Sequence, residues 1–249
     1  MSNMHDKVVI VTGGSSGIGL AAATSFAAAG AKVLITGRRV APLEAATQGT
    51  NAMALVADVA IAKDAQRTIQ AAVDAWGRLD VLVNNAGAGA LLPLADATVD
   101  RIADIFAVNV IGPSLLSAAA LPHLAATKGT IINVSSTYGH RPVAGLSHYA
   151  ASKAALEQLT RCWALELAAM DIRVNGVAAG PTETGALTGM MGLSADRAEA
   201  VKSDERNRIP LKRRGEPLDV ARWILSLADP AAAWVTGQVI AVDGGLGLI

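Results

Sequence analysis

The sequence predicts an α/β protein, a doubly wound parallel sheet of about seven strands with helices on both faces. Three observations carry this. Short β-branched runs alternate along the 249 residues with Ala-rich amphipathic stretches, the pattern of repeated strand–helix–strand units. Several runs are apolar without a break, as strands covered on both faces must be. The first of them passes directly into a glycine-rich turn and then a helix.

In chain order the expected strands are Val8–Thr12, Val33–Thr36, Ala54–Val56, Val81–Asn84, Thr130–Val134, Arg173–Val177 and Val239–Val242. Each is rich in Val or Ile or is bounded by turn residues. Helical spacing of apolar residues falls near 17–29, 41–48, 62–76, 99–126, 148–169 and 217–228. The stretch 185–209 fits no strand, and its Gly, Met and charged residues suggest a mobile helical flap. No linker, repeat or low-complexity block divides the chain, so residues 1–249 are expected to form one domain.

Composition excludes several classes of function. Lys+Arg and Asp+Glu both number 21, which gives a polyanion such as nucleic acid no handle. Charged residues make up 17% and apolar residues 52%, a balance that points to homo-oligomerisation to cover apolar surface. The lone cysteine, Cys162, excludes an internal disulfide and a Cys-rich zinc site, and reads as a structural thiol. His123, His140 and His148 lack partners at ligand spacing, so no metal is expected. The short polar start, Met1 to Lys7, does not read as a signal peptide, and a cytoplasmic location follows by default. Ile105 to Thr127 carries no charged residue and imitates a membrane span. Asn109, Gly112-Pro113, Ser114, Ser117, Pro122 and His123 argue instead for a buried helix at a core or subunit contact.

The glycine-rich turn runs Thr12-Gly13-Gly14-Ser15-Ser16-Gly17-Ile18-Gly19. Glycines there allow a tight turn and close approach of backbone to a pyrophosphate, which the following helix N-terminus favours through its free N–H groups and dipole. Gly13, Gly17 and Gly19 give G-x-x-x-G-x-G, and with this spacing the chain resembles the short-chain dehydrogenase/reductase family. The resemblance runs nearly end to end, through Asp58, Asn84-Asn85-Ala86-Gly87, Asn109, Ser136, Tyr149, Lys153 and Val242-Asp243-Gly244-Gly245. It implies a Rossmann-type fold and a nicotinamide-dependent oxidoreductase.

After the second strand stands Thr36-Gly37-Arg38-Arg39. A carboxylate at this point would accept hydrogen bonds from the ribose 2′-OH of NAD. Here it is Gly37, followed by two guanidinium groups that suit a 2′-phosphate, so NADP(H) is preferred over NAD(H). The resemblance further implies that Asp58, with Val59 after it, meets the adenine, although a turn or capping role suits Asp58 as well. It also implies that Asn85, Ala86 and Gly87 line the adenine ribose, and that Gly180, Thr182 and Thr184 meet the nicotinamide carboxamide. The family usually has Pro-Gly where this chain has Ala179-Gly180, which removes a rigid residue from that loop.

Reduction of a carbonyl needs a proton donor, and the reverse reaction a base. Tyrosine, with an ordinary pKa of about 10, needs a nearby ammonium to serve as a base near neutral pH. Tyr149 and Lys153 lie four apart, on one face of a helix. Ser136 stands 13 residues before Tyr149, the family's usual interval, and can hydrogen-bond the substrate oxygen. Ser135 would face the other way if the strand continues. Asn109, a polar residue in an apolar helix, matches the family's fourth catalytic residue, which would hold a water linking Lys153 to solvent. Tyr149 and Lys153 would also contact the cofactor. His140 and Arg141 fall where family members line the substrate pocket, and Tyr138, Leu146, Leu187, Met190 and Met191 would form its apolar wall.

Three functions follow: a ketone or aldehyde reductase, reversible as a secondary-alcohol dehydrogenase; a 3-oxoacyl-thioester reductase served by an acyl-carrier protein; or a non-catalytic NADP-binding sensor or scaffold. A full Asn-Ser-Tyr-Lys set speaks against the last. By resemblance, helices 99–126 and 148–169 would pair between subunits, commonly in a tetramer.

Overall fold

The computed structural model describes residues 4–249. Seven parallel strands form one sheet: β1 (Val8–Thr12), β2 (Lys32–Gly37), β3 (Met53–Val56), β4 (Val81–Asn84), β5 (Thr130–Ser136), β6 (Arg173–Ala179) and β7 (Val239–Val242). Their order, β3-β2-β1-β4-β5-β6-β7, reverses between β1 and β4, so a crevice opens at the C-terminal ends of those two strands. The expected Rossmann-type α/β sheet is present.

Alternation along the unbroken apolar strands fills two cores at once. Val9 and Val11 of β1 face one side, with Phe26 of α1 (Gly17–Ala28) and Ile224 of α9 (Pro217–Ala228). Val8 and Ile10 face the other, with Ile69 of α3 (Ala62–Trp76), Leu116 and Leu124 of α5 (Gly112–Thr127), and Leu167 of α6 (Ser147–Leu167). The short α2 (Val40–Thr47) follows β2.

The expected helix 99–126 is interrupted. It divides into α4 (Val99–Phe106), a π-helical turn at Ala107–Ile111, and α5. Pro113 has no N–H, and in a regular α-helix its ring would meet the carbonyl of Asn109, four residues back, so the backbone widens there. The run Val99–Thr127 is long and apolar enough to cross a membrane by length and composition. Leu116, Ala120 and Leu124 instead bury its inner side in the second core.

β5 and β6 run two residues further than the apolar pattern suggests, through Ser135-Ser136 and Ala178-Ala179, which pair in register. Stretch 185–209 contains no strand, as expected, but holds α7 (Ala186–Gly189) and α8 (Ala195–Arg208). Buried Arg214 ties this region down. Its Nη2 donates to the Thr182 carbonyl at 2.6 Å, its Nε lies 3.0 Å from Glu183, and its Nη1 meets Glu205 on α8.

A buried polar chain aligns the middle of the sheet with its helices. Asn84 Nδ2 donates to Ser117 Oγ at 3.2 Å and to Asn133 Oδ1 at 2.9 Å, and Asn133 Nδ2 donates to Thr160 Oγ1 at 2.9 Å. Removing its central member takes one hydrogen-bond partner from Asn84 and one from Thr160, both buried. Asn133→Ala is therefore expected to lower unfolding free energy by about 2 kcal/mol or more, read from urea denaturation; an unchanged midpoint would show that the chain carries no stability.

Candidate active site

The turn after β1 is locked by its neighbours. Thr12 Oγ1 donates to Val83 O at 3.3 Å and accepts from the N–H groups of Asn85 and Ala86 at 3.0 Å each. Asn85 Nδ2 donates back to Thr12 O at 2.8 Å and Gly13 O at 3.2 Å. Gly13 takes a left-handed φ of 64°, and a Cβ on Gly19 would lie 2.3 Å from Gly13 O and 2.4 Å from Asn85 Nδ2. Two glycines and one asparagine thus clamp the ends of β1 and β4 together. Ser16, the residue before α1, gives its hydroxyl to no helix N–H, so the first-turn donors stay free for an anion. Thr184 reaches over this turn, its Cγ2 3.0 Å from where a Cβ of Gly17 would sit.

At the end of β2, Gly37 faces Ser15 Oγ, and Arg38 and Arg39 are exposed. Neither guanidinium has a hydrogen-bond or ion-pair partner among the described residues. Asp58 forms a turn, its Oδ1 accepting from Ala60 N at 3.0 Å, while buried Val59 packs against Gly112. Ala179, at the end of β6, pairs with Val242, and Gly180 N donates to Val242 O at 2.9 Å. Strand pairing there supplies the rigidity that proline would otherwise give. Thr182 is buried and donates from Oγ1 to Gly180 O at 2.9 Å, and Thr184 Oγ1 accepts from Ala186 N at 3.2 Å.

Beyond β5 lie the groups suited to proton transfer. Ser136 Oγ accepts from Tyr138 N at 3.2 Å, and Ser136 stands close enough to the Tyr149 hydroxyl to favour its ionised form. Ser135, one residue earlier, faces the other way, as alternation requires, towards Lys153 O and Glu157. Lys153 is 4% exposed, its Nζ donates to Val134 O at 2.9 Å, and it lies 6.0 Å from the centre of the Tyr149 ring. Asn109 is fully buried: Nδ2 donates to Ala88 O at 2.7 Å and Ser152 Oγ at 2.9 Å, while Oδ1 accepts from Ala88 N at 2.8 Å. One lone pair remains on Oδ1, and a Cβ on Gly87 would lie 3.6 Å from Oδ1 and 3.7 Å from Lys153 Nζ. Asn109 and Lys153 therefore share one small space beside Gly87.

The electrostatics differ from the expectation that the ammonium lowers the tyrosine pKa. Burial raises the Tyr149 hydroxyl above its ordinary value; the Ser136 hydrogen bond offsets part of this, and Tyr138 adds to it. Burial also lowers Lys153 to about 8, against the attraction of Glu157. Desolvation dominates at Tyr149, whose hydroxyl is held above the ordinary tyrosine value.

The stretch 185–209 reaches this group. A Cβ on Gly89 would lie 2.9 Å from the Met191 methyl, 3.0 Å from the Tyr149 ring and 3.4 Å from the Met190 methyl. Met190 and Met191 are thus brought to Tyr149, with Tyr138 close by. Leu146 precedes α6 and Leu187 lies on α7, both part-buried. His140 and Arg141, expected at the substrate pocket, each have a partner outside the Ser136–Tyr149 pair. His140 Nδ1 lies 3.2 Å from Glu157, and Arg141 Nε donates to Ile249 O at 3.0 Å. Thr12, Gly89, Ser152 and Glu157 were not singled out from sequence. Only Glu157, an acid spaced i,i+4 from Lys153, carried a usable signal.

Comparison with known proteins agrees with this geometry. Residues 13–247 match a family model described as enoyl-(acyl carrier protein) reductase. An uncharacterized oxidoreductase of Mycobacterium tuberculosis is 37% identical over 99% of this chain and 94% of that protein. The 3-oxoacyl-[acyl-carrier-protein] reductase of Thermotoga maritima is 35% identical over 98% of each. The crystal structure of a short-chain dehydrogenase/reductase of unknown function from Caenorhabditis elegans, with cofactor, superimposes with a TM-score of 0.92 at 36% identity. That match covers 99% of this chain and 97% of the other.

A buried ammonium costs stability that its removal should return. Lys153 titrates lower when folded than when unfolded, so the penalty applies in full below about pH 8 and disappears as pH rises towards the unfolded value. Lys153→Met is expected to be more stable than the parent at pH 7, by on the order of 1–3 kcal/mol, with the gain shrinking above pH 8. Urea melts at pH 7 and pH 10 check this; a variant less stable at both pH values would contradict it.

Proposed function

The chain belongs to the short-chain dehydrogenase/reductase family, and we propose that it is an NADP(H)-dependent reductase of ketones or aldehydes, reversible as a secondary-alcohol dehydrogenase. Family membership implies a nicotinamide cofactor. The observation that carries the reaction is the convergence of Ser136, at the end of β5, and buried Lys153 on Tyr149, with the Lys153 ammonium beside the tyrosine ring.

The residues present fit the dinucleotide. The Gly13–Gly19 turn, with Ser15, Ser16, Gly17, Ile18 and the free N–H groups of α1, suits its pyrophosphate. Asp58, Val59, Asn85, Ala86 and Gly87 would hold the adenosine side. Gly180, Thr182 and Thr184 would meet the carboxamide, with Tyr149 and Lys153 against the nicotinamide ribose. Gly37 withholds the carboxylate that would favour NAD, and the unpartnered guanidinium groups of Arg38 and Arg39 suit a 2′-phosphate. When bound, the nicotinamide supplies a hydride in reduction and accepts one in oxidation.

The protein's share is orientation and the proton. A carbonyl oxygen set between Ser136 and Tyr149 receives a hydrogen bond from each. As negative charge builds on that oxygen, the Tyr149 O–H bond breaks and the product O–H bond forms. The phenolate left behind is stabilised by the Lys153 ammonium. A water between Asn109 Oδ1 and Lys153 would then return a proton from solvent, while Ser152 and Ala88 keep the amide in place. A raised Tyr149 pKa keeps the hydroxyl protonated and so available as the donor in reduction.

In this reading residues 1–249 act as one domain, with 185–209 as a substrate flap whose Met190 and Met191 close on Tyr149 and Gly89. The burial of the inner side of the Val99–Thr127 run and the single cysteine favour a cytoplasmic protein. Val99, Ile111 and Leu165, on and near the helices of one layer, are exposed at 82%, 50% and 83%, which favours a homo-oligomer, a tetramer first. A 3-oxoacyl thioester is the second substrate class, supported by the likeness to the Thermotoga reductase. Comparing free ketones with carrier-bound thioesters separates the two.

Tyr149→Phe is expected to cut kcat for ketone reduction by at least ~10³ while NADPH still binds, checked by NADPH absorbance and fluorescence titration; undiminished turnover would refute the assignment. Arg38→Asp is expected to weaken NADPH binding by ~10–100-fold and NADH binding far less. Equal losses would contradict the phosphate clamp.

A further inference from the structure

Glu157 is a buried carboxylate to which the chemistry above gives no task. Its side chain is 4% exposed, and a carboxylate so far from water must be hydrogen-bonded or paired. Oε1 accepts from Ser135 Oγ at 3.0 Å and lies 3.2 Å from His140 Nδ1. Oε2 has Arg161 Nη2 at 3.8 Å, too far for a hydrogen bond and half in solvent. The absence of a side chain at Gly139 makes room, since a Cβ there would lie 2.5 Å from Oε1. Strand β5, the loop after it and α6 therefore converge on one carboxylate that touches neither Tyr149 nor the flap.

Lys153 lies one helical turn earlier on the same buried face of α6. Ser135 Oγ, which binds Glu157, also lies 3.3 Å from the Lys153 carbonyl, so the two residues share a support. The other groups around the Lys153 ammonium are uncharged: the Val134 carbonyl, the Tyr149 ring and the Asn109 amide beside Gly87. The attraction of Glu157 opposes the burial that drives the proton off. We infer that Glu157, held by Ser135 and His140, is a positioning residue whose negative charge keeps the proton on Lys153.

Two further charges face this carboxylate. Arg161, on α6, draws on it permanently but through water. His140 comes from the loop, with Nδ1 against Glu157 and Nε2 towards the C-terminal segment near Gly247 and Asp243. At acid pH Lys153 already holds its proton. The effect of Glu157 is therefore confined to the alkaline side.

The inference rests on the proposed reaction only for its consequence in turnover, so the primary test needs no substrate. Lysine 13Cε shifts, followed against pH in protein with no nucleotide added, report the Lys153 midpoint. Glu157→Gln keeps the size and the acceptor for Ser135 but removes the charge, and should lower that midpoint by about one pH unit. Glu157→Asp, which keeps the charge, should restore most of it. Glu157→Leu provides a second neutral variant if the glutamine variant does not fold. In the neutral variants the alkaline limb of kcat/KM for ketone reduction should move down in step. An unmoved Lys153 midpoint, whatever happens to Tm, overturns the inference and leaves Glu157 a packing residue. A midpoint that moves while the kinetic limb stays still upholds it and counts instead against the role given to Lys153 in the reaction.

Discussion

The arrangement turns on a lysine ammonium that has been taken out of water. Lys153 is 4% exposed and burial draws it down to about 8, so the groups around it must make its charge tolerable. The Val134 carbonyl accepts its hydrogen bond, Glu157 supplies opposite charge, and Asn109 shares the space at Gly87. Each of these has its own support. Ser152 and the Ala88 backbone fix Asn109, and Ser135, His140 and Gly139 fix Glu157. β5 and α6, which carry most of the set, are coupled by the Asn133–Thr160 bond deeper in the sheet.

Such a charge is placed at a cost, and the fold supplies the rigidity that holds it. Reversal of strand order between β1 and β4 opens the crevice, and the Thr12–Asn85 interlock closes its floor without filling it. Gly13 and Gly19 are glycines first because Asn85 and the Gly13 carbonyl occupy the space a side chain would need. The same bareness leaves the N-terminus of α1 open to an anion. One packing constraint thus serves both the stability of the β1–β4 junction and the binding surface above it. Tyr149 is raised rather than lowered by its surroundings, which keeps its hydroxyl protonated and so available as a donor near neutral pH.

Much of this was legible in the sequence because it depends on period and local chemistry. All seven strands were placed to within two residues or so, since a run buried on both faces reads as apolar without regard to its neighbours. Ser136, Tyr149 and Lys153 were singled out by resemblance to the family's motif and its intervals, and the opposite facing of Ser135 by strand alternation. What escaped depends on non-local contact. The π-helical turn at Asn109 arises from Pro113 and the fit of Gly112 against Val59, which no window of sequence displays. His140 was read as pocket lining because it lies between Ser136 and Tyr149, but its partner is a buried carboxylate on α6. The direction of the Tyr149 shift was missed for a related reason: a pattern shows that an ammonium is near, but not how dry the place is.

The most direct test of the central claim is a single-turnover reaction with NADPH deuterated at the transferring C4 position, a simple ketone as acceptor, and product analysis by NMR. The account predicts one deuterium on the carbinol carbon for each NADPH consumed. Transfer only to the β-carbon of an enone or enoyl thioester, or to no ketone at all, would contradict it.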